Sequence, residues 1–410
     1  MGGRATARAL APLFAAGFLA YGYNNIFMTL TPTFVTSLGG SLAEAGLQNS
    51  VYLAVAVVLR FAFGPLADQW GTKPVMAAGL ASFIVGGALF PFAGAFWQVV
   101  AVRCIQAIGL AAFWSSATAT VSNTAPPESR GWWLGLYRLV TSVSLLVGPL
   151  VAFELVDVAG FAVCFGLLTA CAAVALLCVM ALGRLGAEPP ASGEAARLSA
   201  APGSGAAPSS AAPPSGTAPS PGSSSRQSVS AVVLAVVVGG TFIAAVGYGL
   251  LFSFAGTAAA AMGLALGAGW YFSLVGLGGL AANPVAGLLA DRLGPRRLLG
   301  AHLLLVAAGL ALFPLAAHSS AAFVASGLAA GYGYAGAMVC AQAEGASRVA
   351  AAHRATVLAL QQNAIDLGIA SAGAVFGLAF TAMGPAAPGP FLVQAAVVLV
   401  AALLLLRRAR

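Results

Sequence analysis

Four ionisable side chains lie inside long apolar stretches of the sequence: Arg60, Arg103, Arg138 and Asp366. A charge in such a stretch is costly in a membrane and marks a candidate functional group. Asp366 follows Arg354 by twelve residues, which places it about 18 Å along a helix that begins there. An acid at that depth is a candidate to carry a proton or a cation, and the alternative is a structural pair with an arginine.

The elements that must hold these residues are membrane-spanning helices. The chain has 410 residues, of which 60% are hydrophobic and 7% are charged, whereas soluble domains carry about 25% charged residues. Apolar runs of about 20 residues, bounded by Gly, Pro or charge, predict an all-α polytopic membrane protein. The twelve predicted spans lie near residues 9–36, 43–67, 74–94, 97–122, 131–154, 159–183, 230–257, 266–290, 296–316, 320–343, 354–381 and 389–406.

The positions of Lys and Arg predict the orientation of these spans. If the N-terminus is cytoplasmic, every Lys and Arg outside the spans lies in a cytoplasmic segment. We therefore expect a multi-pass protein of the cell inner (plasma) membrane, with both termini cytoplasmic. One external turn is also predicted, because Ser41-Leu-Ala-Glu44 reads as a capping box that starts the second span.

Residues 186–229 interrupt the pattern of spans. They are rich in Pro, Ser, Gly and Ala and contain few large apolar residues. Such a segment cannot bury a core, so we expect a disordered cytoplasmic linker. It divides residues 1–185, the predicted N-terminal six-helix bundle, from residues 230–410, the predicted C-terminal six-helix bundle.

One charged motif, Gly-x-x-x-Asp-x-x-Gly-x-(Lys/Arg), occurs twice, 223 residues apart. A repeat at half-chain spacing predicts 12 transmembrane helices in two pseudo-symmetric six-helix bundles. The carboxylates can cap a neighbouring helix or pair with a base, and the glycines permit close helix contact and a tight turn. The motif is therefore a candidate cytoplasmic gate, or else it serves only to set the membrane topology. The gate candidates are Arg60, Gly64, Asp68, Gly71, Lys73, Gly287, Asp291, Arg292, Gly294 and Arg296.

These features resemble the major facilitator superfamily. The two charged loops match its motif A, and residues Arg103–Gly109 match motif B, with alanine in place of the first glycine. Gly148-Pro149 matches the centre of motif C, which is associated with the 12-helix drug/proton antiporter branch. The resemblance covers the whole chain except the linker. The first motif A copy departs from the family pattern, because Gln69 and Thr72 replace arginines.

The resemblance implies roles for the buried charges. In similar antiporters the motif B arginine is tied to proton coupling, so Arg103 joins Asp366, proposed above from its depth in the membrane, as a candidate coupling residue. Structural packing of Arg103 is the alternative. In this fold the second and eleventh spans meet, so Arg60 pairs with Asp366 or with Asp68. Arg138 could bind an anionic group of the substrate or a lipid headgroup, and the alternative is a structural role. The candidate residues of a central substrate cavity are Asn24, Asn25, Gln106, Trp114, Arg138, Tyr248 and Gln362.

The function implied by the resemblance is secondary active transport by alternating access. We expect proton-coupled efflux of a small amphipathic compound or drug. A proton symporter that imports a polar metabolite, such as a sugar or organic acid, is one alternative, and a non-transporting membrane receptor of the same fold is another. The expected partners are a small-molecule substrate, protons and the lipid bilayer, and the chain is expected to be a monomer.

Other function classes find little support in the sequence. The basic residues are scattered singly and form no stripe, so nucleic acid is not an expected partner. The five cysteines and three histidines have neither metal-ligand spacing nor a triad pattern, and no phosphate-binding loop is present. We therefore expect no metal, no cofactor and no enzymatic activity.

Overall fold

Long helices make up nearly all of the structure. The computed structural model describes residues 3–126, 129–183, 231–264, 267–349 and 351–407, and no residue in those ranges lies in a β-strand. In apolar surroundings a helix satisfies its own backbone hydrogen bonds, so runs of this composition become helices. The helices are α1 (Gly3–Ser37), α2 (Leu42–Trp70), α3 (Thr72–Leu89), α4 (Phe96–Thr124), the stretch Arg130–Met180, α7 (Ala231–Ala261), α8 (Gly267–Leu293), α9 (Pro295–Leu312), α10 (Ser320–Arg348), α11 (Ala351–Met383) and α12 (Gly389–Arg407).

The stretch Arg130–Met180 contains two helices. Gly160 has φ 81° and ψ 169°, a backbone conformation that interrupts the helix and that glycine adopts without strain. We call residues 130–159 α5 and residues 161–180 α6. The sequence predicts a boundary at this place, between spans near 131–154 and 159–183.

The helices fit a membrane in length and composition. Ten helical segments of the described chain are long and apolar enough to cross a bilayer. One of them, Trp132–Met180, has 49 residues and contains the break at Gly160, so it is long enough for two spans of about 20 residues. α1 is not among the ten. The predicted fold class, an all-α polytopic membrane protein, is confirmed, and membrane crossing by α1 stays a prediction.

The buried apolar side chains form two large clusters. One cluster is drawn from residues 10–182, and the other is centred on residues 233–402 and extends into α1, α2 and α4. We refer to α1–α6 as the first half and to α7–α12 as the second half. The predicted linker, residues 186–229, lies outside the described residues, and the predicted domain boundaries stay a prediction.

The two halves meet chiefly along two helix pairs, α2 with α11 and α5 with α8, and α1 also contacts α7. Glycines let the backbones touch there. A Cβ added at Gly46 of α2 would lie 2.0 Å from the Gly373 carbonyl oxygen of α11. A Cβ added at Gly276 of α8 would lie 2.7 Å from the backbone nitrogen of Leu146 in α5. These contacts lie in the half of the molecule nearer the predicted external side.

Local signals at the helix ends behave as the sequence predicts. The Ser41 Oγ accepts a hydrogen bond from the Glu44 backbone N–H at 3.2 Å, and the Ser41 N–H donates to Glu44 Oε2 at 2.7 Å. The predicted capping box is therefore present. Gly71 and Gly294, which separate α2 from α3 and α8 from α9, have φ of 86° and 83°. These values lie in the left-handed region that favours glycine, so each turn needs its glycine.

Candidate functional site

An ion pair joins the two halves near the middle of the helices. A guanidinium nitrogen of Arg60 in α2 donates to a carboxylate oxygen of Asp366 in α11. Asp366 is 6% exposed, and the side-chain amide of Gln362, one turn earlier, lies within electrostatic reach of its carboxylate. Of the two partners considered for Arg60 from the sequence, the structure pairs it with Asp366.

Arg103 is buried in the first half among neutral acceptors. Its Nε donates to Gln48 Oε1 at 3.1 Å, and its two terminal nitrogens donate to Gln106 Oε1 at 2.9 Å and Asn49 Oδ1 at 3.0 Å. The guanidinium carbon lies 3.7 Å from the centre of the Tyr52 ring, a cation–π contact. The charge is 1% exposed, and among the described residues its hydrogen-bond partners are amides rather than acids.

Tyr52 lies between Arg103 and the central helices. Its hydroxyl donates to the Asn24 side-chain oxygen in α1, while its ring lies under Arg103. The Asp366 carboxylate and the Arg60 guanidinium are both within electrostatic reach of Tyr52. A polar stripe on α2 therefore runs from the Arg103 cluster to the ion pair. The signal for it in the sequence is the set of polar residues at helical spacing in an apolar run, Gln48, Asn49, Tyr52 and Arg60.

A cavity of about 380 Å³ separates the two halves beside the ion pair. Arg138 of α5 lines it from the first half, and Gln342 of α10 with Gln361 and Gln362 of α11 line it from the second. Ala343 and Leu358 complete the wall. These residues lie in the half of the molecule nearer the predicted cytoplasmic side. The cavity combines one cation and three amides with two apolar side chains, a composition suited to a small amphipathic ligand.

Another cavity of about 190 Å³ lies between α1, α5 and α6. Its lining is almost wholly apolar and includes Phe18, Val151 and Leu167, which are exposed on the helix surfaces. None of the described residues that line it is charged. Because the charged and amide side chains line the other cavity, the cavity with Arg138 is the candidate site. In the described part of the chain, no cluster of three or more His, Cys, Asp or Glu side chains could hold a metal ion.

The expected cavity residues separate into two groups. Arg138 and Gln362 line the cavity, as noted. Gln106 does not: it is fully buried, accepts from Arg103, and its Nε2 donates to the Tyr23 hydroxyl at 2.7 Å. In this conformation the side chain faces α1 and α3 instead, so its place in a substrate cavity stays a prediction. A Cβ at Gly86 of α3 would lie 2.4 Å from the Gln106 side chain.

The remaining expected cavity residues lie between packed helices. Asn25 Nδ2 donates to the Ser144 hydroxyl of α5 at 3.3 Å. Trp114 contacts Tyr21, with ring centres 3.5 Å apart, and is half-buried against both apolar clusters. Tyr248 stacks on Tyr334 at 3.9 Å and 7°. These side chains order the helices around the cavity but do not line it.

The first motif A loop is tied to its own half. Lys73 Nζ donates to the Met180 and Gly183 carbonyl oxygens, at 2.9 and 2.7 Å, and so caps the end of α6. Thr72, which stands where the family has arginine, forms a hydroxyl–hydroxyl hydrogen bond of 2.6 Å with Thr120 of α4. These contacts hold α3, α4 and α6 together, and none of them joins the two halves.

The second motif A loop also departs from expectation. A Cβ at Gly287 would meet nothing within 4 Å among the described residues, so they show no close helix contact at this glycine in this conformation. Arg292 is exposed, and the buried Nε of Arg296 makes no hydrogen bond within the described residues. The structure describes only the backbone of the other three gate candidates, so their side-chain contacts lie outside the described part. These are Gly64, Asp68 and Asp291.

Glu344 is a buried acid that the sequence did not single out. It is 1% exposed, and one carboxylate oxygen pairs with Arg348 at 3.1 Å, one turn later on α10. The predicted span ended at residue 343, but α10 continues to Arg348 and encloses this acid. The Glu–x–x–x–Arg spacing, typical of an ion pair on one helix, was the signal that could have extended the span.

Comparison with known proteins places the chain in a family. It matches the Major Facilitator Superfamily over residues 13–238 and 237–410. It is 31% identical over 134 residues to "Multidrug resistance protein 3" of Bacillus subtilis (strain 168), a match that covers 33% of this chain and 26% of that protein. It is 28% identical over 157 residues to "Multidrug transporter MdfA" of Yersinia pestis bv. Antiqua (strain Angola), and 38% of each chain is covered.

These curated relatives are matched over roughly a quarter to two-fifths of their length. The fold is similar over a greater length. A crystal structure of a peptide transporter POT in complex with alafosfalin superposes with a TM-score of 0.75 at 16% identity, covering 98% of this chain and 94% of that one. The match across both halves, the helical fold and the membrane-spanning segments lead to one conclusion: the chain is a multi-pass membrane protein that belongs to the Major Facilitator Superfamily.

Proposed function

We propose that this protein is a secondary transporter that works by alternating access and exports a small amphipathic compound in exchange for protons. The observation that carries the proposal is the buried ion pair between Arg60 and Asp366. It links the two halves beside the cavity, so the charge state of one carboxyl group and the contact between the halves depend on each other.

The conformation supports one half of the transport cycle. Close contacts between the halves lie towards the predicted external side, at Gly46 with Gly373 and at Gly276 with Leu146. The cavity lies towards the predicted cytoplasmic side. This is the arrangement of a state that accepts substrate from the cytoplasm, and rocking of one half against the other would produce the opposite state.

Protonation of Asp366 gives a physical basis for the change between the two conformations. A neutral carboxyl group leaves Arg60 as a buried charge without its counter-charge, and removal of one partner from a buried pair typically costs about 3–5 kcal/mol. Moving an equilibrium from 1:99 to 99:1 needs about 5.5 kcal/mol. The free-energy change caused by protonation of Asp366 is therefore close to the free energy needed to reverse the preferred conformation.

The groups that face Asp366 come from three helices. Arg60 and Tyr52 approach from α2, Gln362 precedes it on α11, and Tyr334 approaches from α10. Arg103 acts on the pair through Tyr52, which it contacts directly. In this proposal Asp366 carries the proton, and Arg103 sets the field in which it does so.

The test is proton-driven accumulation of a radiolabelled compound in inside-out vesicles, with the compound chosen by a thermal-shift screen of purified protein. Asp366→Asn should abolish the dependence of accumulation on the pH gradient while exchange of labelled for unlabelled compound continues. Asp157→Asn, at an exposed position near the end of α5, is the matched control. Unchanged proton-driven accumulation in Asp366→Asn would place the proton carrier elsewhere, and absence of any flux in the natural protein would favour a non-transporting receptor.

Import by proton symport is the second candidate function. The observation that favours it is Arg138, whose charge lines the cavity together with three amides and suits a polar organic acid. Proton-driven uptake in right-side-out vesicles, with no accumulation in inside-out vesicles, would establish this direction.

We also propose that the protein resides in the cell inner membrane, with both termini in the cytoplasm. The support is the distribution of Lys and Arg along the chain. Fusion of a reporter active only outside the cytoplasm to each terminus, and to the loop after Leu38, checks the orientation. Activity should appear only in the loop fusion.

A further inference from the structure

We propose that the cavity is an anion site, and that its ligand is an amphipathic carboxylate that also carries a hydrogen-bond donor. This inference rests on the proposed transport function, because it names the substrate class of the same cavity. The carboxylate would meet Arg138 on the α5 wall, and the donor would meet Gln361 on the α11 wall.

The charges around the cavity favour an anion. Arg138 is the one charged side chain among the described residues that line the cavity, and the acid beside the cavity, Asp366, is paired with Arg60. The other buried acid nearby, Glu344, pairs with Arg348. The guanidinium of Arg138 on the cavity wall attracts a carboxylate and repels an ammonium group.

Gln361 supplies the second half of the recognition. It is 1% exposed, and its Nε2 donates to the Met338 carbonyl oxygen at 3.3 Å. That carbonyl can only accept, so the amide orientation is fixed and Oε1 points the other way. Oε1 is buried and has no hydrogen-bond partner within the described residues. A buried acceptor without a partner is costly, and an N–H or O–H group of a ligand would satisfy it.

The two walls of the cavity also differ in charge. Arg138 and Gln362 occupy equivalent positions of the two sequence repeats, 224 residues apart, and both line this cavity. A symmetric ancestor would present the same group from both walls. Here one wall offers a full positive charge and the other offers neutral amides, so a ligand with one anionic end and one neutral, donating end fits in a single orientation.

The test uses four probes built on one ring system: indole-3-acetate, indole-3-acetamide, tryptamine and 1-methylindole-3-acetate. Dissociation constants are measured by titration of the purified full-length protein in detergent. A charge-assisted hydrogen bond predicts that indole-3-acetate binds about 10- to 100-fold more tightly than the amide. Tryptamine should bind most weakly, and methylation of the ring nitrogen should weaken binding several-fold because the donor for Gln361 is lost.

Variants locate the effect. Arg138→Gln should remove the preference for the anion, Arg138→Lys should retain part of it, and Arg407→Gln, at an exposed position near the end of α12, should not change it. Gln361→Met should abolish the difference between indole-3-acetate and its methylated analogue. Melting temperatures of the unliganded variants show whether each one is folded. The lysine variant keeps the test decisive if the glutamine variant does not fold.

The outcomes separate the substrate class from the proposed function. Tryptamine binding as tightly as indole-3-acetate, a preference that survives Arg138→Gln, or no binding by any probe at millimolar concentration would overturn the anion site. Proton-driven movement of tryptamine, with no preference for the anion, would retain the transport function and reject the substrate class. Preferential binding of the anion without any flux in vesicles would retain the site and reject transport.

Discussion

Replacement of Gly46 by alanine is expected to open the predicted external side of the molecule. The Cβ of the new residue would lie 2.0 Å from the Gly373 carbonyl oxygen and 2.6 Å from the ring of Phe254. An ordinary contact needs at least 3.4 Å, so α2 and α11 must separate by more than 1 Å at this level. The obstacle is backbone, which cannot rotate away as a side chain can.

The expected size of the effect follows from overpacking. Insertion of a methyl group into a close-packed contact typically costs about 1–3 kcal/mol, and separation of the helices also weakens the nearby hydrogen bond from the Ser50 hydroxyl to the Ala370 carbonyl. The cost applies only to the conformation in which this contact is closed. The equilibrium should therefore shift about 5- to 150-fold towards the externally open conformation.

Distances between spin labels on the two halves measure this shift. Labels at Leu38 and Ala261, exposed near the predicted external ends of α1 and α7, should move apart in Gly46→Ala. Labels at Trp70 and Leu293, exposed at the predicted cytoplasmic ends of α2 and α8, should approach each other. The native cysteines are replaced for this experiment.

Two further variants decide whether the reasoning holds. Gly276→Ala, at the α5–α8 contact, should shift both distances in the same direction, because its Cβ would also meet backbone. Gly166→Ala is the matched control, since a Cβ there meets none of the described residues within 4 Å. Unchanged distances in Gly46→Ala, or an equal shift in Gly166→Ala, would refute the argument that glycine contacts seal this side.

Two further predictions concern the buried charges. Arg60→Gln and Asp366→Asn should each lower the melting temperature, whereas the double variant should be more stable than the sum of the two effects implies, because removal of both partners leaves no lone buried charge. Simple additivity of the three melting temperatures, converted to free energies, would show that the pair contributes nothing. Arg103→Lys should destabilise the protein almost as much as Arg103→Gln, because an ammonium group cannot reach three amide oxygens at once. A lysine variant as stable as the natural protein would contradict this account.

The positions of the helices follow closely from the sequence. The predicted spans agree with the observed helices to within a few residues at most ends, and the boundary near residue 160 coincides with the break at Gly160. The error at Glu344 has a local cause: a charged residue was read as the end of a span, although its pairing with Arg348 lets the helix continue. Charge alone does not end a helix when the next turn supplies a partner.

The sequence by itself determined the helical class, the places of the buried charges along their helices and the two glycine turns. These properties depend on local composition and on backbone conformation. Only the tertiary structure decided that Arg60 pairs with Asp366, 306 residues away, that Gln106 faces Arg103 rather than the cavity, and that Arg138 and Gln362 share one cavity. Those outcomes depend on how each helix is rotated about its axis and how closely it approaches its neighbours, and in a chain that is apolar on every face the sequence pattern carries little information about that rotation.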